Sequence, residues 1–343
     1  MHMADALLSP AVGGTMWAAS AATVAYCSTK VRQSLDDRKI PLMGVLAAFV
    51  FAAQMINFTI PATGSSGHLG GGLILAILLG APAAFLAIAS VLTVQALFFA
   101  DGGLLALGCN IFNLGIFPCF IAYPLIYKKI VGDHPTSGRL LTGSLIAAIA
   151  GLQMGAFGVV LETTLSGISE LPFSSFVIMM QPIHLAIGIV EGLVTAGVIS
   201  FIWQARPEIL EKAAADRPIG ALPIGKVLIG LAMVTIFTGG ILSWYASEHP
   251  DGLEWSMFKV SGQEELEATN GLHHSLEIIQ EKTAFLPDYN FKDTAEGDSG
   301  RLGTSASGLV GGLLVMLMGI AIGLVLKKRG VVGHDHPHPH PHV

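Results

Sequence analysis

Charge is scarce in this 343-residue sequence: 12% of its side chains are charged against 52% hydrophobic, and its mean hydropathy is +0.66. That balance excludes a soluble globular chain and points to an all-α polytopic membrane protein. The lipid bilayer is therefore an expected partner, and nucleic acid is not. Cysteine is scarce as well. Cys27, Cys109 and Cys119 sit in apolar stretches without C-x-x-C spacing, which argues against a disulfide framework or a zinc cluster and leaves them as packing residues. No G-x-x-x-x-G-K-[ST] loop occurs, so ATP is not bound by that route. No H-E-x-x-H occurs either, so a membrane metalloenzyme would lack its ligand set and general base. The first basic residues, Lys30 and Arg32, stand at the far end of the first apolar run. The start therefore does not read as a cleaved signal, and the N-terminus is expected to be retained, outside.

Apolar stretches at about 10–30, 40–60, 82–99, 104–127, 138–164, 177–205, 224–246 and 305–326 are long enough to cross a bilayer. Fourteen of the 18 basic residues fall in four clusters, at 30–39, 128–139, 206–226 and 327–329. The positive-inside rule places those clusters in the cytoplasm. The segment 248–301 holds the other four, with 12 of the 24 acids, and belongs outside. An odd number of crossings must then fit between residues 60 and 128. Three fit if 69–80 is a short helix ending at Gly80-Ala81-Pro82, a length tolerated where helices line protein and not lipid. The expectation is seven helices plus two, with the N-terminus outside and the C-terminus inside.

Small residues recur at helical spacing, Ala18 with Ala22 and Gly44 with Ala48 and Ala52, so these faces allow close helix packing within the chain or against a partner. Polar chemistry concentrates at the start. A histidine at position two can chelate a metal through the terminal amine, its own amide nitrogen and its ring Nδ1, closing one five- and one six-membered ring. The fourth corner of that square plane is open. His68, in the glycine-rich loop Gly64-Ser65-Ser66-Gly67-His68-Leu69-Gly70, is the candidate to fill it. Four nitrogens in a plane favour Ni(II), Cu(II) or low-spin Co(II) over zinc. Spacing alone leaves a second reading open, a loose terminal residue and a loop histidine bonded to backbone.

Met1-His2-x-x-Asp5-x-x-Leu8-Ser9-Pro10, the loop Gly64–Leu69, and Asp101-Gly-Gly-Leu with Leu107-Gly-Cys-Asn-Ile-Phe-Asn113 resemble the substrate-specific component of energy-coupling-factor transporters for cobalt and nickel, the CbiM/NikM family. Pro250-Asp251-Gly252-Leu253-Glu254 is similar to the PDGLE module, an accessory component related to CbiN/NikN. The resemblance implies high-affinity uptake of Ni2+ or Co2+ as transported ligand, with no resident cofactor. It also implies ligands at Met1, His2 and His68, and a transmembrane coupling subunit with ATPase subunits as partners. The chain departs from the family's Met-His-Ile-Pro-Asp-Gly opening at Met3, Ala4 and Ala6, outside the chelate rings. Losing proline and glycine there is expected to make the segment less stiff.

Gln95, Asn110 and Asn113 are candidates to orient His68 or the N-terminal segment from membrane depth. His184 and Glu191, two turns apart on one helix face, suit a structural pair or a transient ion. His249, His273 and His274 lie in the acidic outer loop, which could gather cations near the mouth by electrostatic focusing; the pair His273 and His274 reads rather as incidental in a solvated domain. The tail His334-Asp335-His336-Pro337-His338-Pro339-His340-Pro341-His342 reads as a cytosolic metal buffer. The expected divisions are 1–205, the metal-binding unit; 206–223, a cytoplasmic linker; 224–329, the two-helix module; and 330–343, the tail. A passive or ion-coupled metal channel or exporter is the alternative function; Glu191 alone supports it thinly.

Overall fold

The computed structural model describes residues 2–264, 266, 271–292 and 300–327. Met1 and the histidine-rich tail lie outside the described residues. Among the described residues the regular structure is helical apart from one short hairpin, and a helix lies in each stretch that hydropathy marks. The helices are α1 (Pro10–Ser34), α2 (Lys39–Gln54), α3 (Gly72–Leu79), α4 (Ala81–Phe98), α5 (Leu107–Val131), α6 (Ser137–Ser166) and α7 (Phe173–Ala205). After these come α8 (Pro207–Ala214), α9 (Gly225–Gly240), α10 (Gly252–Ser261), α11 (Gly271–Thr283) and α12 (Arg301–Leu326), of which α8, α10 and α11 lie outside the hydropathy stretches. By length and composition α4, α5, α6, α7 and α12 can each cross a membrane, and α2 and α9 are shorter apolar helices.

The second apolar stretch does not run to residue 60 as a helix. It stops at Gln54, and β1 (Phe58–Ile60) turns through Ala62 and Gly64, both at positive φ, into antiparallel β2 (Ser65–Gly67). The hairpin carries His68 out of β2 and into α3. Every residue of α3 is buried, and its eight residues reach only about 12 Å, too little to cross alone. Enclosure by protein removes the lipid exposure that would otherwise forbid so short a span. The break that ends it is Gly80, whose φ of +81° suits glycine, followed by Pro82 at the opening of α4. The middle of α5, Phe112–Tyr127, is wound in wider turns, where Pro118 and Pro124 supply no backbone donors.

The last helix is not a loose neighbour. A Cβ on Gly44 of α2 would stand 2.7 Å from Ile320 of α12, and one on Gly319 would stand 3.1 Å from Gly44. The small face of α2 is thus used inside the chain, whereas Ala18 and Ala22 of α1 stay exposed. At one end of the bundle the basic clusters touch one another. Lys128 Nζ donates to the Ala214 carbonyl at 2.8 Å, Gly220 N to Asp36, and Lys327 pairs with Asp37.

Candidate metal site

The N-terminal segment is pinned before it reaches α1. Met3 is buried, its N–H donates to Asn110 Oδ1 at 2.8 Å, and its carbonyl accepts from Gly103 N at 2.9 Å and Asn110 Nδ2 at 3.3 Å. Asp5 accepts from Ala106 N, so close to Gly103 that a Cβ there would sit 1.9 Å from its carboxylate. These bonds fix the segment at Met3 and Asp5 without the family's proline and glycine. Asn110 thereby orients the backbone that presents His2.

The His68 loop is secured from below. Glu191 of α7 accepts from Gly70 N at 2.8 Å and Gly71 N at 3.1 Å, placing a carboxylate at the start of α3. Gln54 donates to the Gly70 carbonyl at 2.8 Å and accepts from Gln95 Nε2 at 2.9 Å, so Gln95 reaches the loop through Gln54. Asn113 does not join this arrangement; its amide donates to Glu162 at 2.7 Å. His184 and Glu191 do not pair either. The amides at the start of α3 take the carboxylate, and His184 Nδ1 turns back to the Met180 carbonyl at 2.8 Å. His184 lines a cavity of about 10 Å3 with His68, Asp251 and Gly252, room for roughly one water.

His2 and His68 meet face to face, with ring centroids 4.9 Å apart and planes 7° from parallel. His68 Nδ1 lies 3.1 Å from the Leu69 carbonyl, which assigns the proton to Nδ1 and the lone pair to Nε2. Burial first, reinforced by the neighbouring His2, pushes the His68 pKa down to about 3, so the ring is neutral at physiological pH. Each ring has a carboxylate beside it. Asp101 Oδ1 stands 3.0 Å from His2 Nδ1, and Asp251 Oδ2 stands 3.8 Å from His68 Nε2. Burial disfavours the Asp101 anion, but the His2 ring and the Tyr289 hydroxyl outweigh it and hold the carboxyl below its usual range. Among the described residues no three His, Cys, Asp or Glu side chains cluster to hold a metal.

The Pro-Asp-Gly-Leu-Glu stretch explains itself residue by residue. The Pro250 carbonyl accepts from Ser66 N at 2.8 Å, extending the hairpin edge. Asp251 Oδ1 caps α10 by accepting from Leu253 N and Glu254 N, and Glu254 closes a capping box on Asp251 N at 2.8 Å. Gly252 lies where a Cβ would come within 3.1 Å of His184 and Ile187, and Leu253 is buried. Two more residues of the module reach Leu8 of the N-terminal segment and the turn at Asp101. His273 Nε2 donates to the Leu8 carbonyl at 2.8 Å, and Tyr289 donates to Asp101 Oδ2 at 2.5 Å. His273 is 1% exposed and thus not incidental, whereas His274 faces solvent.

Asp101, Asp251 and Tyr289 beside the two rings, and His273 on Leu8, were not among the candidate site residues of the sequence. Asp251-x-x-Glu254 is a recognisable capping box, and Asp101 lies in a motif; nothing local marks His273 or Tyr289.

The family described as the cobalt uptake substrate-specific transmembrane region matches residues 2–209, and the PDGLE domain matches residues 225–328. A putative fused nickel transport protein NikMN of Archaeoglobus fulgidus is 33% identical over 332 residues, covering 94% of this chain and 98% of that one. The cobalt transport protein CbiM of Sorangium cellulosum is 28% identical, covering 63% of this chain and 97% of its own length. A solved structure described as a truncated transition-metal transporter matches with a TM-score of 0.53 at 30% identity, covering 60% of this chain and 99% of that one.

Proposed function

The chain belongs to the CbiM family of substrate-specific transmembrane proteins, with a PDGLE domain fused behind it, and from that premise we propose that it captures Ni2+ or Co2+ for high-affinity uptake into the cell. The metal is held by the Met1 amine, the His2 amide and ring nitrogens, and His68 Nε2. The observation that carries this reading is that the His2 and His68 rings meet, with centroids 4.9 Å apart and the His68 proton committed to Leu69; because each lone pair lies in its ring plane, one ring tilts out of the stack to share the ion. A tautomer fixed in that way leaves the other nitrogen's lone pair for metal.

The chain is a multi-pass membrane protein. We orient it with the site outside and the C-terminus in the cytoplasm, in the inner membrane. The mutual contact of the basic clusters at one end supports this orientation. Energy comes from separate ATPase subunits through a transmembrane coupling subunit, as in energy-coupling-factor transporters, because this chain carries no phosphate loop. Metal uptake into vesicles by this chain alone would favour the passive-channel reading instead.

Capture is proton-linked, and the sign follows from the donors. His68 is already neutral and contributes no proton between pH 8 and 5. The terminal amine, with a reference pKa of about 7.7–8.0, and the His2 amide each release one proton to the solvent on binding. Below that pKa, affinity should fall by roughly a hundredfold per pH unit, two protons' worth. Competition titrations with a chelator from pH 8 to pH 6 measure the slope. A pH-independent affinity over that range contradicts the ligand set.

A further inference from the structure

The two oxygens of Asp101 serve different parts of the chain. Oδ1 lies 3.0 Å from His2 Nδ1, while Oδ2 accepts the hydroxyl of Tyr289, which comes from the appended module. That module straps the turn that carries Asp101. Gln280 Nε2 donates to the Gly102 carbonyl at 2.7 Å, Asp288 N to the Phe99 carbonyl at 2.9 Å, and the Tyr289 ring stacks on Phe99 at 5.1 Å. Asp288 and Tyr289 hold positive φ angles of 48° and 59°. Non-glycine residues keep such angles only where their surroundings enforce them, and such residues concentrate at functional sites.

The chelate needs the lone pair of His2 Nδ1, the nitrogen that now faces Asp101. One nitrogen cannot give its proton to a carboxylate and its lone pair to a metal. A half-turn about Cβ–Cγ removes the conflict. It leaves the ring in the same plane. It also swings Nδ1 to the opposite edge and brings Nε2 to where Cε1 stands, one ring bond from the position Nδ1 leaves. In the present orientation His2 Nε2 is buried and finds no hydrogen-bond partner among the described residues. After the turn its N–H faces Asp101.

We propose that Asp101, steadied by Tyr289 of the fused module, accepts the N–H of the non-coordinating ring nitrogen of His2 while Nδ1 binds the metal. Tyr289 is then a positioning residue for metal capture. The inference rests on the chelate reading. A carboxylate on the far nitrogen fixes the tautomer and ring orientation and raises the basicity of the ligating nitrogen, and losing such a partner typically costs about 10–100-fold in metal affinity.

The test uses the purified full chain and Ni2+ ions. Tyr289→Phe keeps the ring on Phe99 and removes only the hydroxyl; it should weaken Ni2+ affinity about tenfold, and Asp101→Asn by about 10–100-fold. Both should shift the visible absorption of bound nickel, a signature that a merely structural role would not move. Because Tyr289 acts through Asp101, the double variant should bind no more weakly than Asp101→Asn alone. An unchanged affinity for Tyr289→Phe, or additive losses in the double variant, overturns the proposal. If Tyr289→Phe does not fold, Asp101→Asn decides by the same readouts, and unchanged affinity and spectrum overturn it. The chelate reading fails separately, if a chain extended by three residues ahead of Met1 still binds nickel normally.

Discussion

His68→Ala should lose more than about a hundredfold in affinity for Ni2+, beyond the range seen when a residue merely hydrogen-bonded to a ligand is removed. The substitution deletes one of four donors and leaves the corner of the plane to water. Its structural cost is expected to be small, because the loop is held by backbone groups and not by the ring. Gly70 and Gly71 donate to Glu191, Gln54 donates to the Gly70 carbonyl, and Ser66 N donates to Pro250. Chelator competition with the purified chain, beside thermal melting, separates lost affinity from lost folding. Removing residues 334–343 is the matching control and should leave affinity at this site unchanged. If the tail deletion removed the tightly bound ion and His68→Ala did not, the site would have been assigned to the wrong end of the chain.

Three residues added ahead of Met1 should abolish capture altogether. The extension turns the terminal amine into an amide nitrogen, whose proton is far harder to displace, and it moves the histidine from position two to position five, past position three, where a histidine would complete a four-nitrogen chelate of its own. The five-membered ring of the chelate then loses its amine donor. The fold should tolerate the change, since Met3 and Asp5 hold the segment through their own bonds to Asn110, Gly103 and Ala106. Nickel binding and uptake by extended and unextended chains, at matched expression and melting temperature, measure the effect. Normal uptake by the extended chain contradicts the amine as ligand.

The residues that were legible in the sequence are those whose signal is local. Hydropathy marked the long apolar helices but not α8, α10 or α11, and counting basic loops pointed to the short helix before Gly80, because a single crossing could not consume that much apolar chain. His2 and His68 were legible because a chelate and a glycine-rich loop are short-range patterns. Their neighbours were not. Tyr289 meets Asp101 across 188 positions, and His273 meets Leu8 across 265, so only the tertiary path of the module creates those contacts. Same-face spacing also misled. It suggested His184 with Glu191, but two backbone amides at the start of a buried helix offer a carboxylate more than a histidine two turns away can. The second apolar stretch was read through to residue 60 because hydropathy does not register the hairpin, whose edges are closed by Ser247 donating to the Asn57 carbonyl and by Pro250.

The central claim is that one divalent ion sits between the N-terminal chelate and His68 with four nitrogens in a plane. X-ray absorption together with magnetic measurement on the nickel-loaded full chain tests it most directly. Four nitrogen donors, two of them imidazole, around a diamagnetic Ni(II) are expected, with one imidazole lost in His68→Ala. A paramagnetic, six-coordinate nickel dominated by oxygen donors would contradict it.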